Sequence, residues 1–172
     1  LGNPSIPAPE GVNAAIHAIL EEESSLSVHG YTSGTGDAAA RSAIAADLSH
    51  RFGMDITAGE IFITCGAAPA LTAVLKALRV PDGEVLAIAP YFPEYKPFAE
   101  SAGAIFEVVP PDVPDFQIKL DAVEAMLTEN TQAIILNSPN NPSGVVYTRE
   151  VLTELAALLT RKSEEYGHPI YI

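Results

Sequence analysis

Three asparagines and two prolines crowd one short loop, Asn137-Ser138-Pro139-Asn140-Asn141-Pro142-Ser143-Gly144, at the end of an apolar run. An asparagine side chain can donate a hydrogen bond without adding charge. Open α/β sheets place their ligands just beyond the carboxyl ends of strands. The same residue types also build ordinary strand-to-helix turns. Only X-Pro bonds take the cis form at modest cost, so a tight inward loop here predicts a cis peptide before Pro139 or Pro142. A second candidate is Ile63-Thr64-Cys65-Gly66-Ala67-Ala68, an apolar run that passes through small residues into a helix-like stretch. Small residues let backbone N–H groups approach an anion, and a helix N-terminus favours its charge. Close packing of helix on strand would select the same residues. The third, Pro90-Tyr91-Phe92-Pro93-Glu94-Tyr95, sets aromatic rings at another strand end, where they serve either a ligand or the core.

Other patterns carry less. Gly34-Thr35-Gly36-Asp37-Ala38-Ala39 fits the dinucleotide fingerprint G-x-G-x-x-A, with Asp55 near the acidic position. That fingerprint must follow a buried strand, and Ser27–Ser33 is too polar to be one. His17, His29, His50 and His168 have no ligand-like spacing, so no metal site is expected. Cys65 has no activating neighbour in the sequence and reads as a buried structural thiol.

The elements that would position these loops alternate along the chain. Ile61–Cys65, Val85–Ala89, Ala104–Val109, Ala133–Asn137 and Pro169–Ile172 are short apolar runs suited to strands covered on both faces. Helical stretches are predicted at Ala68–Arg79, Glu94–Ala102, Asp121–Leu127 and Thr148–Tyr166. In the last, Val151, Leu152, Leu155, Leu158 and Leu159 share a face, with Thr148 as N-cap and Gly167 as the stop. The alternation predicts a mostly parallel α/β sheet flanked by helices. Before it come Pro4, Pro7 and Pro9, helices at Val12–Glu22 and Asp37–Phe52, and the Gly-rich loop His29–Gly36 between them.

Nearly half the residues are apolar and the net charge is −13, without a basic cluster, which argues against nucleic acid as a partner. The single cysteine excludes an internal disulfide and makes a reducing, cytoplasmic setting the default. No apolar run is long enough to span a membrane, and no signal-peptide layout is present. The chain starts at Leu1 and ends inside an apolar run, and it reads as a fragment.

The string N-S-P-N-N-P-S-G resembles the N-x-P-x-N-P-T-G signature of class I and II aminotransferases, with Ser143 in place of Thr. The resemblance extends over essentially the whole chain, and is nearest to the bacterial aspartate-aminotransferase-like group of fold-type I pyridoxal 5′-phosphate (PLP) enzymes. It implies that residues 1–36 form an N-terminal arm, helix and Gly-rich loop, and that residues 37–172 are the truncated N-terminal part of the PLP-binding large domain. It assigns Asn141 to the phenolic oxygen of the cofactor ring, the main-chain N–H groups of Ala67 and Ala68 to its phosphate, and Phe92, with Tyr91 as runner-up, to its ring face. Leu1-Gly2-Asn3-Pro4 resembles the segment whose glycine, here Gly2, faces the substrate carboxylate. His29–Gly36 resembles the loop whose tyrosine, here Tyr31, reaches the cofactor phosphate of the neighbouring subunit in a homodimer. The substrates implied are an amino acid and a 2-oxo acid. The family's Schiff-base lysine, its pyridine-pairing aspartate and its anion-gripping arginines match no position here: Lys76, Lys96, Lys119 and Lys162 fall elsewhere, so this stretch alone is expected to be inactive. A β-lyase, decarboxylase or cyclopropane-forming synthase of the same fold type would look alike. A nucleotide-binding α/β module is the reading from another class.

Overall fold

The computed structural model describes residues 5–172, which divide into two compact units, one running to Thr64 and the other covering Cys65–Ile172.

In the first unit, helix α1 (Glu10–Glu22) buries none of its residues, and a single turn, α2 (Ser25–Val28), follows it. Helix α3 (Ala38–Phe52) is fixed at both ends by its sequence. The Asp37 carboxylate accepts the Ala40 N–H at 2.9 Å, and Gly53 closes the helix in the left-handed region at φ 64°. The Arg41 guanidinium donates to the Ala58 carbonyl at 2.8 Å and ties α3 to a 3₁₀ turn, Ala58–Glu60. A capping box closes that turn, with the Thr57 N–H and hydroxyl both donating to the Glu60 carboxylate at 2.8 Å. These bonds hold the Glu60 carboxyl below its ordinary pKa.

The second unit is a three-layer α/β/α arrangement. Helix α4 (Ala67–Ala77) leads to strand β1 (Glu84–Ile88), then α5 (Tyr95–Ala102), β2 (Ile105–Val109), α6 (Leu120–Met126), β3 (Thr131–Ile135) and α7 (Arg149–Tyr166). The strands are parallel in the order β2-β1-β3. Successive side chains on a strand point to opposite faces. Val85 therefore packs with Leu75 of α4 and Ala99 and Ala102 of α5 on one side. Leu86 and Ile88 pack with Val123 of α6 and Leu155, Leu158 and Leu159 of α7 on the other. Central β1 is buried almost throughout, which is why it reads as an uninterrupted apolar run.

Two of the five predicted strands differ. Ile61–Cys65 forms no strand, because a strand is defined by its ladder and this run has none among the described residues. Its Ile63 N–H instead donates to the Thr35 carbonyl at 3.1 Å. Pro169–Ile172 contributes only a parallel bridge: the Tyr171 N–H donates to Gln132 O and Tyr171 O accepts the Ile134 N–H, beside β3. The predicted helices are present with ends shifted by at most two residues. No helix among the described residues is long and apolar enough to cross a membrane.

Helix α7 has its expected stops. The Thr148 hydroxyl accepts the Val151 N–H at 3.2 Å, and Gly167 adopts φ 76° with nothing near the place a Cβ would occupy. Gly167→Ala therefore meets no clash and costs only the left-handed backbone penalty, about 1 kcal/mol. A urea-denaturation midpoint equal to wild type would show that α7 ends otherwise.

Candidate functional site

Strands β1 and β3 are neighbours whose outgoing chains diverge. From β1 the chain runs through α5 to β2 on one side; from β3 it runs through α7 to Tyr171 on the other. Such a divergence opens a crevice beyond the carboxyl ends of the two strands, the usual ligand position in an open α/β sheet. The chain leaves these two strands through Ala89–Tyr95 and Leu136–Gly144, which contain two of the three segments singled out in the sequence.

The asparagine loop is densely bonded. The Ser138–Pro139 and Asn141–Pro142 peptides are both cis. The Asn137 side-chain oxygen accepts the Asn141 N–H at 2.7 Å. The Asn140 N–H donates to Val145 O at 2.8 Å, and Asn140 O accepts the Gly144 N–H at 2.7 Å. Gly144 takes φ 75°, which closes the turn. The Asn141 side chain is exposed, and no hydrogen bond to it occurs among the described residues. Beyond the loop, the Gln117 amide donates to Val146 O and accepts the Thr148 N–H, which anchors the entry to α7.

The aromatic segment splits by direction. The Tyr91 ring lies edge-on to Phe106 of β2 at 5.3 Å and stacks on Tyr95 at 6.5 Å, so it is committed to the α4/α5 side of the sheet. The Phe92 ring is half-buried, and among the described residues the one aromatic ring it pairs with is Tyr95, edge-on at 5.7 Å. Burial pushes the Tyr95 phenol above its ordinary pKa. Tyr147 is raised chiefly by burial as well, against a lowering hydrogen bond from Asn140, with nearby Tyr95 adding to the rise. Both phenols are thus neutral dipoles at neutral pH.

At the start of α4, Gly66 stands at φ 91° with open space where a Cβ would project, and no side chain caps the helix. The first-turn N–H groups of a helix have no partner within it. Ala67 is exposed, Ala68 is half-buried, and Ala67 lines an open apolar groove of about 500 Å³ that also includes Leu136, at the carboxyl end of β3. The start of α4 thus faces the same end of the sheet as the other two segments. Cys65 is exposed rather than buried as expected, because it sits in the turn ahead of α4 and not in a strand.

The remaining candidates lie apart. Tyr31, in the first unit, is fully exposed on its loop. Gly2 lies outside the described residues. The segment ahead of Gly34 is a helical turn and coil, not the strand a dinucleotide fingerprint requires. Lys96 pairs with Glu100 and Lys162 with Glu165, while Lys76 sits in the last turn of α4 and Lys119 stands at the N-cap position of α6 without a side-chain capping bond. Sequence reasoning missed Asn140, which is buried, Gln117, which bonds Val146 and Thr148 far along the chain, and Tyr147, which is buried in the core.

Residues 2–164 match the family model of aminotransferase class I and II. An aspartate aminotransferase of Streptomyces avermitilis is 30% identical over 99% of the chain, and a probable N-succinyldiaminopimelate aminotransferase of Mycobacterium tuberculosis is 40% identical over 76% of it. A crystal structure of an amino transferase from Eubacterium rectale superposes with a TM-score of 0.93 at 46% identity, covering 99% of the chain and 43% of that protein. Thermus thermophilus aspartate aminotransferase superposes at 0.81 with 30% identity. The chain spans 43% of the Streptomyces relative's length. Its parallel sheet with helices on both faces is that of the fold-type I large domain, and the chain belongs to the class I and II aminotransferase family.

Proposed function

We propose that the protein to which this chain belongs is a PLP-dependent aminotransferase that moves an amino group between an amino acid and a 2-oxo acid, as a cytoplasmic homodimer. The observation that carries the reading is the meeting of the three motif segments at the carboxyl end of one sheet, two of them flanking the crevice where β1 and β3 diverge.

The donor set suits the cofactor. Uncapped N–H groups at Ala67 and Ala68 would hold a phosphate, assisted by the positive end of α4. Phe92, free of the Phe106 contact that engages Tyr91, would lie against the ring face. The exposed amide of Asn141 would donate to the phenolic oxygen. Tyr31, fully exposed, would serve the partner subunit's phosphate, and Gly2 the substrate carboxylate. Bound there, the cofactor supplies an electron sink for charge developing at the substrate α-carbon, while the protein supplies orientation and electrostatics. The lysine that would bond the cofactor is assigned to the protein outside Leu1–Ile172.

Asn141→Ala in the full-length protein tests the reading. Loss of the donor destabilises the ionised ring oxygen, so the pH midpoint of the bound cofactor's visible absorbance should rise by about one unit. The side chain is exposed, so thermal stability should change little. An unchanged midpoint removes Asn141 from the site.

A further inference from the structure

Asn140 occupies the variable place in the loop signature, yet it is the more buried of the two adjacent asparagines, at 7% exposure. With Thr131 it is one of two buried polar residues among the described residues. A buried amide is costly unless bonded, and an apolar side chain would fill the same space without that cost. Its bonds show what the amide does. The Asn140 Oδ1 accepts the Ser143 N–H at 3.1 Å and the Ser143 hydroxyl at 2.8 Å. Its own N–H and carbonyl are bonded to Val145 and Gly144. All four bonds land on residues 143–145, just past Asn141 and Pro142. The segment is thereby closed on its buried side, with Asn141 and Pro142 left on the outside of the closure. The Asn141 N–H is tied separately to Asn137, so the backbone that carries the exposed amide is held from both directions. The Tyr147 N–H donates to the Ser138 hydroxyl at 3.1 Å, and Tyr147 belongs to the core beneath α7, so the loop is anchored there as well.

We infer that Asn140 is the positioning residue for Asn141: its buried side chain, through Ser143, sets the direction in which the Asn141 amide faces the crevice. The inference rests on the cofactor reading above. Asn140 touches neither cofactor nor substrate, and its effect passes through its neighbour. Directional donors act by being held in place before the ligand arrives, and a loosened loop lets the amide turn to water instead.

The test is a double-mutant cycle in the full-length, cofactor-loaded protein, read as the pH midpoint of the cofactor's visible absorbance. Asn140→Ala should raise the midpoint in the same direction as Asn141→Ala, by roughly half as much or more. The double variant should match Asn141→Ala alone, since there is then no donor left to position. A wild-type midpoint for Asn140→Ala beside a raised one for Asn141→Ala overturns the inference and leaves the site reading intact. An equal shift from Asn140→Ala in both backgrounds also overturns it, because the effect then bypasses Asn141. If Asn141→Ala itself moves nothing, the site reading fails, and the inference with it. Should Asn140→Ala not fold, Ser143→Ala, which removes at an exposed residue the 2.8 Å hydroxyl bond to Asn140 and the 3.3 Å bond that hydroxyl accepts from the Val145 N–H, reads the same link. It should give a smaller rise that vanishes in the Asn141→Ala background, and no rise counts against the inference.

Discussion

Leu155→Ala should destabilise the full-length protein by about 3 kcal/mol, within the range for emptying a well-packed leucine site. Leu155 is fully buried at 0% exposure, in the middle of α7, where it meets the side of the sheet formed by Leu86 and Ile134. Leu158 and Leu159 flank it a turn further along the same face, so neighbours cannot collapse into the space without leaving their own positions. Val151 lies a turn earlier and is only half-buried, so Val151→Ala should cost much less. Urea denaturation followed by circular dichroism measures both. A Leu155→Ala loss no larger than that of Val151→Ala, at unchanged m-value, would mean that α7 is not clamped to the sheet. The same cluster holds Tyr147, so this packing also carries the root of the asparagine loop.

Local information made the helices legible. Thr148 and Gly167 bracket α7, and Asp37 and Gly53 bracket α3, because caps are chemical requirements of a helix end that adjacent residues meet. Strands were legible only where a partner exists. Val85–Ala89 and Ile61–Cys65 look equally strand-like, but β1 has neighbours on both sides, whereas no ladder forms at Ile61–Cys65 among the described residues. The turn Ser25–Val28 was missed because four residues carry no helical repeat. At the site, a specific string identified the loop and its exposed Asn141. The string says nothing of Asn140, because what matters there is burial, which the fold sets and residue type does not. Gln117 was invisible for a related reason: it bonds Thr148, 31 positions away. Choosing between Tyr91 and Phe92 likewise needed Phe106, which the sequence places 14 positions or more from either ring and only the sheet brings to Tyr91.

Ala67→Pro should weaken binding of pyridoxal 5′-phosphate by the full-length protein about tenfold to a hundredfold, the worth of one charge-assisted hydrogen bond. Ala67 is the first residue of α4, a position where proline's fixed φ suits the helix and where the lost N–H breaks no intrahelical bond. The residue before a proline is driven away from helical ψ, and Gly66 already holds ψ −177°. The substitution thus deletes a single donor at the positive end of α4 while the helix, its dipole and the Ala68 N–H stay in place. Stability should move by less than about 0.5 kcal/mol, which a denaturation curve verifies before any binding is measured. The informative comparison is with pyridoxal, which has the ring and aldehyde but no phosphate. If the Ala67 N–H holds the phosphate, affinity for pyridoxal is unchanged while that for the phosphorylated form falls, and the gap between the two ligands narrows by the whole of the loss. Equal losses for both ligands would trace the effect to the ring and Asn141 side of the crevice, and no loss for either would take the start of α4 out of the cofactor site.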